Sequence, residues 1–336
     1  MKTFSCKEKP FKIYGVPFFE ENKDFRRFPE ELIEESLDGS DLGRRTPGAR
    51  LAFKTDAKEF DITVTFKTFT VDIGMSIYGC QSCQVLLGSK NKFRYLGIIG
   101  PKRYDALSFT GTVKKNAKME ELLIFLPRNE IIEDITLTFP DDAKIEEPTP
   151  YKYEKPVIFF GSSITEGGCA CNLFNTHSAL LSNRLDFDFY NFGFSSRALG
   201  QIPIAKFIAS FDMSAFVYDY DYNAPNGEHL KATHEPFFNV IREAHPKLPI
   251  IMISRPAPFI KEEVTVNRDI IKQTYENAKA KGDDNVYFID GSTFFADKEP
   301  HCCTIDGCHP NDYGFHLMAD KIEPILKEAL IKYNGK

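Results

Sequence analysis

Two stretches carry side chains that could do chemistry. In "VIFFGSSITEGGCA", Val157 to Ala170, an apolar run stops at Gly161 and is followed at once by Ser162, Ser163 and Thr165. Hydroxyls in that position make sense if the end of a buried strand is in use. In "TIDGCHPNDYG", Asp306 and His309 stand three residues apart, and Pro310 stiffens the backbone after the histidine. A serine becomes a nucleophile when a base lies within hydrogen-bond reach, and the base needs a third group to fix its tautomer and stabilise the imidazolium. The Asp-x-x-His spacing lets one turn present both side chains to one cleft. Taken alone, it also fits a helix entry capped by Asp306 or Asn311. Either Ser162 or Ser163 could be the partner.

The elements that must position these groups change character along the chain. Up to about residue 150, short runs such as "FDITVTF", "SIYGCQSCQVLLG", "FRYLGIIG", "ELLIFLP" and "IEDITLTF" follow one another, rich in Val, Ile, Thr and Phe and separated by Gly, Asn, Lys or Pro. This predicts an antiparallel, jelly-roll-like sandwich over residues 1–150. Asp141 to Pro156, with three prolines and no apolar periodicity, reads as a linker. From 151 to 336, apolar strands ("VIFFG", "DFYNFG", "FVYDYD", "PIIMIS", "VYFID") alternate with helix-length stretches, which predicts an α/β domain with a covered parallel sheet and a last helix interrupted by Pro324. Ligands bind outside the carboxyl ends of strands in such sheets. The residues after each strand, and the Asp306–His309 loop, therefore share one rim.

Composition removes several classes. The 336 residues carry a net charge of -6 and no dense Lys/Arg stripe, which argues against nucleic acid or an anionic membrane as partner. No window approaches the roughly 18 apolar residues of a membrane span. The N-terminus has no apolar core of a signal peptide, so a cytoplasmic location is expected, although a mature secreted chain would read the same. "GSSITEGG" lacks the lysine and spacing of a phosphate-binding loop, and Thr165 stands where a G-x-S-x-G elbow needs its second glycine.

The eight cysteines form no zinc-finger or zinc-ribbon spacing and read as reduced thiols. Five of them, Cys169, Cys171, Cys302, Cys303 and Cys308, flank the two chemical stretches, which keeps a metal-dependent hydrolase involving His309 as a third reading. Cys80 and Cys83 make a lone C-x-x-C in a sandwich context that does not suit thioredoxin-like use. His229 and His234 read as helix-entry or surface residues. The absence of tryptophan weakens sugar stacking by the first domain.

"FFGSSITEGG", "NFGFSS", "DYDYNAPN" and "DGCHPND", in this order, resemble the four blocks of the SGNH/GDSL hydrolase superfamily, in the two-domain form with an N-terminal β-sandwich and a G-S-S-I-T serine block. The resemblance implies a three-layer, flavodoxin-like α/β domain and a serine esterase. Its nucleophile is the third residue of the first block, Ser163, with His309 as base and Asp306 as its orienting carboxylate. It further implies an oxyanion hole made by Ser163, Gly193 and Asn223, with Asn226 as the fallback because Ala224 departs from the usual Asn-Asp pair. Ser196 stands where many relatives have a second glycine, and Gly193 is retained as the donor. Ser162, Arg197 and Arg255 are candidate substrate contacts. No cofactor and no metal are expected. The preferred substrate is an acetyl ester on a carbohydrate, with thioesters, lysophospholipids and acyl transfer open. The competing class is a glycan-binding protein with a vestigial catalytic domain.

Overall fold

A computed structural model describes residues 1–335 except 258, 260 and 297. The first part of the chain runs β1 (Lys2–Ser5), β2 (Lys12–Tyr14), α1 (Phe19–Asn22), α2 (Glu30–Leu37), β3 (Arg50–Thr55), β4 (Glu59–Phe66), α3 (Ile77–Gln81), β5 (Cys83–Gly88), β6 (Arg94–Ile99), β7 (Ser108–Lys114), β8 (Glu120–Phe125), β9 (Ile132–Phe139) and β10 (Ile145–Glu146). Two antiparallel sheets result, ordered β1-β9-β4-β7 and β10-β3-β8-β5-β6, with β2 paired to β3. Without the edge strands β2 and β10, this is the eight-stranded jelly-roll order. Alternation explains the burial: Phe60, Ile62, Val64 and Phe66 of β4 point inward against Ile135 and Leu137 of β9, while Thr63 of β4 faces out and meets Thr110.

The second part runs β11 (Tyr153–Gly161), α4 (Ser163–Glu166), α5 (His177–Leu185), β12 (Phe187–Gly193), α6 (Ile202–Ala209), β13 (Ala215–Asp219), α7 (Gly227–Ala244), β14 (Ile250–Ile253), α8 (Glu262–Ala280), β15 (Val286–Ile289) and α9 (Asp312–Asn334). The five strands are parallel in the order β12-β11-β13-β14-β15, the flavodoxin-like arrangement, whose switch point lies at β11. Val157, Phe159, Val217 and Ile251 point to one face, under Leu181 of α5 and Met318, Ile322 and Leu326 of α9. Ile158, Phe160, Phe216 and Ile250 point to the other, under Ile204 of α6 and Phe237 of α7. No helix among the described residues is long and apolar enough to cross a membrane.

Several details depart from expectation. The presumed linker is ordered: Ile145 and Glu146 pair with β3, and Tyr151 and Tyr153 are buried in the core shared by the two domains. α9 passes through Pro324 without a break. The first half of "SIYGCQSCQVLLG" is helix α3 rather than strand. Most consequentially, residues 1–150 are more than a sandwich. Phe28, Leu32, Ile33, Leu37 and Leu42 pack into the core of the α/β domain, with the Phe28 ring 5.1 Å from Phe192 and 4.7 Å from Phe194. α2 therefore completes the helical layer beside α6. Where the sandwich meets the α/β domain, fully buried Arg50 pairs with Asp188 and stacks 4.0 Å from the Phe189 ring.

Candidate active site

The rim is built by close packing at strand ends. Gly161 and Gly193 are neighbours in register at the ends of β11 and β12. A Cβ on Gly161 would overlap Asp219 and Thr165, and one on Gly193 would overlap the backbone of Glu166 in α4. Glycine at both positions lets α4 start immediately behind the sheet. Ser162 caps α4, its Oγ accepting from the Ile164 N–H at 3.2 Å. Ser162 is buried, so the expectation that it touches substrate is not met. Below it, Thr165 Oγ1 bonds Asp219, whose pKa is pushed up to about 8 by burial.

Ser163, the first residue of α4, is half-buried and opens to the rim. Its Oγ lies 2.9 Å from His309 Nε2. His309 Nδ1 lies 2.7 Å from Asp306 Oδ2, and Asp306 Oδ1 accepts from the His309 and Cys308 N–H groups at 2.7 and 2.9 Å. A carboxylate only accepts, so Nδ1 carries the proton and Nε2 is left to accept from the Ser163 hydroxyl. Burial pushes the Asp306 carboxyl up, but the hydrogen bonds from His309 and Cys308 outweigh it and hold the group below its ordinary value. Groups 146 residues apart in sequence thus form one continuous chain of hydrogen bonds. Such a chain can withdraw a proton from a hydroxyl as that hydroxyl attacks an electrophilic carbon.

Gly193 does not have the place expected of it. Its N–H donates to Asn191 Oδ1 at 2.9 Å and is not free to meet a substrate. Three residues on, Ser196 is exposed with φ +59°, and its N–H has no partner among the described residues. That left-handed backbone is the conformation glycine favours. Asn223 Nδ2 donates to Phe194 O at 2.9 Å, and the Arg197 N–H reaches the same oxygen at 3.1 Å. The turn around Ser196 is thereby joined to the end of β13, and Asn223 keeps a second N–H for the rim. Asn226, the fallback, is instead the cap of α7, accepting from the His229 N–H at 2.9 Å.

The turn is held by residues that sequence reasoning missed. Glu166 is buried, and its Oε2 accepts from the Ser195 N–H and hydroxyl at 3.1 and 2.6 Å. Arg27, fully buried, donates to Asn191 O at 2.6 Å, Gly193 O at 3.0 Å, Arg45 O at 3.0 Å and Leu42 O, with its guanidinium 4.6 Å from the Phe194 ring. Nothing near residue 27 in sequence signals that partnership. The two arginines proposed as substrate contacts are engaged elsewhere. Arg197 pairs with Asp38. Arg255 is buried, bonded to Asp221 through Nε and Nη2 and to Glu263 through Nη1 at 2.9 Å, and stacked on Tyr222.

Cys169 and Cys308 flank the site. Burial, followed by the Asp72 and Asp306 carboxylates, pushes the Cys169 thiol up to about 12. No group of three His, Cys, Asp or Glu side chains among the described residues could hold a metal ion. His234 is buried, not at the surface.

Residues 154–327 match the GDSL-like Lipase/Acylhydrolase family. The chain belongs to this family. As a GDSL-like protein it is an SGNH-type acyl ester hydrolase, with the parallel sheet and antiparallel N-terminal domain of that group. Its fold is similar to that of a GDSL-like lipase from Bacteroides ovatus, at 22% identity over 98% of both chains with a TM-score of 0.86. It is also similar to a salicylyl-acyltransferase from a tetracycline biosynthetic pathway, at 19% identity over 97% of both chains with a TM-score of 0.80. A family two carbohydrate esterase from Clostridium thermocellum, solved in complex with cellohexaose, is similar at 14% identity over 84% of this chain and 93% of that one, with a TM-score of 0.63. None of the curated proteins matches the chain.

Proposed function

We propose that this hydrolase is a serine esterase that uses Ser163 as nucleophile, His309 as general base and acid, and Asp306 as the group that orients the imidazole. The observation that carries the reading is the unbroken Asp306–His309–Ser163 relay, with links of 2.7 and 2.9 Å. Ser163 Oγ attacks the ester carbonyl carbon while its proton passes to His309 Nε2. The carbonyl oxygen becomes an oxyanion, and the imidazolium returns the proton to the alcohol oxygen as the C–O bond breaks. Water then attacks the acyl-serine with His309 again taking the proton, releasing the carboxylic acid and restoring Ser163.

The oxyanion donors in this reading are the Ser163 N–H, the Ser196 N–H and the second Asn223 Nδ2–H. The first has no intrahelical partner because it opens α4. The other two lie on neighbouring loops, after β12 and after β13, joined through Phe194 O. Ser196 takes the role that the sequence alone assigned to Gly193. An acetyl ester on a carbohydrate remains the preferred substrate class, supported by the family two carbohydrate esterases among the structural neighbours.

The test is incubation with a fluorophosphonate probe and peptide mapping, beside turnover of p-nitrophenyl acetate. Labelling at Ser163, lost with turnover in Ser163→Ala, is the expected result. An unlabelled Ser163, or a Ser163→Ala variant with near-normal turnover, would falsify the assignment.

A further inference from the structure

The sandwich sends one loop to the catalytic rim. Residues 67–76 connect β4 to α3, and the loop is fastened from below by the buried Glu130. Glu130 accepts from Thr68 Oγ1, the Thr70 N–H and Gln81 Nε2, each at 2.9 Å. Asp72 turns inward to Arg128 Nη2 at 3.2 Å. Arg128 is buried and is itself held by Asn129 Oδ1 at 2.8 Å.

The far side of this loop lies against the catalytic elements. A Cβ on Gly74 would stand 3.2 Å from Cys169 Sγ and 3.3 Å from Ile305 Cδ1, and Ile305 immediately precedes Asp306. A Cβ on Gly168 would stand 3.6 Å from both Arg128 Nη1 and His309 Cδ2, and 2.9 Å from Ser163 O. The latch Arg128 therefore sits near the Cδ2 edge of the His309 ring, and the loop it fastens lies against Cys169 and Ile305.

Such a fastened loop would be expected to show polar side chains to water. This one shows Val71 and a fully exposed Ile73 on either side of the inward Asp72, with Ile305 half exposed next to them. Exposed aliphatic groups gathered at one place mark a contact surface. Ile305 carries this surface to Asp306, the next residue in the chain, so a molecule held at Ser163 is the one placed to reach it.

We propose that the Thr70–Met75 loop is the alcohol-side wall of the active site, and that Ile73, Val71 and Ile305 select esters whose alcohol carries an apolar portion close to the ester oxygen. The side is set by the chemistry. His309 returns its proton to the leaving oxygen, so the alcohol departs on the histidine side of Ser163, where the wall stands. This inference rests on the Ser163 reading, and it narrows a carbohydrate alcohol to one that turns carbon rather than hydroxyls toward that edge.

The experiment compares two series by pH-stat on the full chain: ethyl, butyl and hexyl acetate, and ethyl acetate, butanoate and hexanoate. Leaving-group basicity is nearly constant in both. Full burial of a methylene favours binding about fourfold, so contact on one side should raise kcat/KM roughly twofold per methylene. The rise is expected in the alcohol series through KM, with the acyl series flat. Ile73→Ser and Val71→Ser, both at exposed positions and checked for folding by circular dichroism, should flatten the alcohol series.

Four results overturn the wall: a flat alcohol series in the wild type, a rise only in the acyl series, a rise unchanged in both variants, or alkyl acetates refused while p-nitrophenyl acetate is hydrolysed. In each of these the hydrolase reading stands. If instead Ser163 is unlabelled by fluorophosphonate and no ester is turned over, the hydrolase reading falls and the wall falls with it.

Discussion

Glu166 Oε2 receives both the backbone N–H and the hydroxyl of Ser195, at 3.1 and 2.6 Å. One carboxylate oxygen thus ties the short helix that opens with Ser163 to the turn that presents the Ser196 N–H. The tie is buried, so water does not compete for it. The spacing between Ser163 and the proposed Ser196 donor is therefore held by this side chain together with Arg27, which grips Asn191 O and Gly193 O, and Asn223, which reaches Phe194 O.

Glu166→Gln keeps the shape but weakens two charge-assisted hydrogen bonds worth about 1.5–3 kcal/mol each in such settings. The expected outcome is a fall in kcat of about tenfold to hundredfold with KM within about twofold. Ser195→Ala, which loses only the hydroxyl bond, should fall less. Steady-state kinetics on p-nitrophenyl acetate separate kcat from KM.

Asn223 and Asn226 are three residues apart and should fail in different ways. Asn223→Ala removes a proposed oxyanion donor and should lower kcat on the order of 10²–10³. Asn226→Ala removes the α7 cap and should lower stability by about 1 kcal/mol. Turnover and urea unfolding, measured on both variants, distinguish the two roles, and exchanged phenotypes would reverse the assignment.

Ser196→Gly relieves a left-handed backbone while preserving the N–H. Stability should rise by about 0.5–1 kcal/mol with turnover retained. Gly193→Ala should do the opposite, because its Cβ would overlap the Glu166 backbone. Poor folding or a large loss of stability is expected, seen as a lowered melting temperature.

Acid should destabilise the fold through two buried imidazoles. Burial holds His177 down to about 4 and His234 down to about 3. His177 is packed between Phe159 and Phe315, and His234 is bonded to Thr274 at 2.9 Å. Both are neutral in the fold at neutral pH, whereas the unfolded chain binds their protons near pH 6.5. Their contribution is therefore present above about pH 6.5 and is lost as pH falls toward 4, of the order of 3 kcal/mol apiece. In urea midpoints between pH 7 and 4 this loss is set against Asp219, whose carboxyl, held up to about 8, favours the fold as pH falls. A double His177→Leu, His234→Leu variant that folds should lose that part of the slope.

How far the sequence reads ahead depends on the range of the interaction. Strand alternation in β4 and β9, and the all-buried runs of β13 and β14, are local patterns, so both sheets were legible. Ser163, His309 and Asp306 were singled out by the likeness of their blocks to the SGNH/GDSL pattern, and the structure brings the three into hydrogen-bond contact. Gly193 misled for a physical reason: glycine can be required for close backbone approach or for a donor at a positive φ, and only three dimensions separate the two. Ser196 meets the second need without being glycine. Arg27, Glu166 and Arg128 act through contacts distant in the chain or on buried backbone atoms, which no spacing rule reports. Arg255 lies at the right rim, but Asp221 and Glu263 already occupy its nitrogens.

Arg27 lies between β2 and β3, yet it grips carbonyls of Asn191 and Gly193 that emerge from the ribosome more than 160 residues later. During synthesis the segment from Arg27 to Leu42 must wait, undocked, through translation of β3 to β10. The catalytic rim closes only when the late-made sheet comes back to meet it. A chain trimmed to residues 151–336 would keep Ser163, His309 and Asp306, but would leave an open furrow where Phe28 and α2 belong. The catalytic rim of this protein therefore draws on a segment between β2 and β3 as well as on the α/β domain.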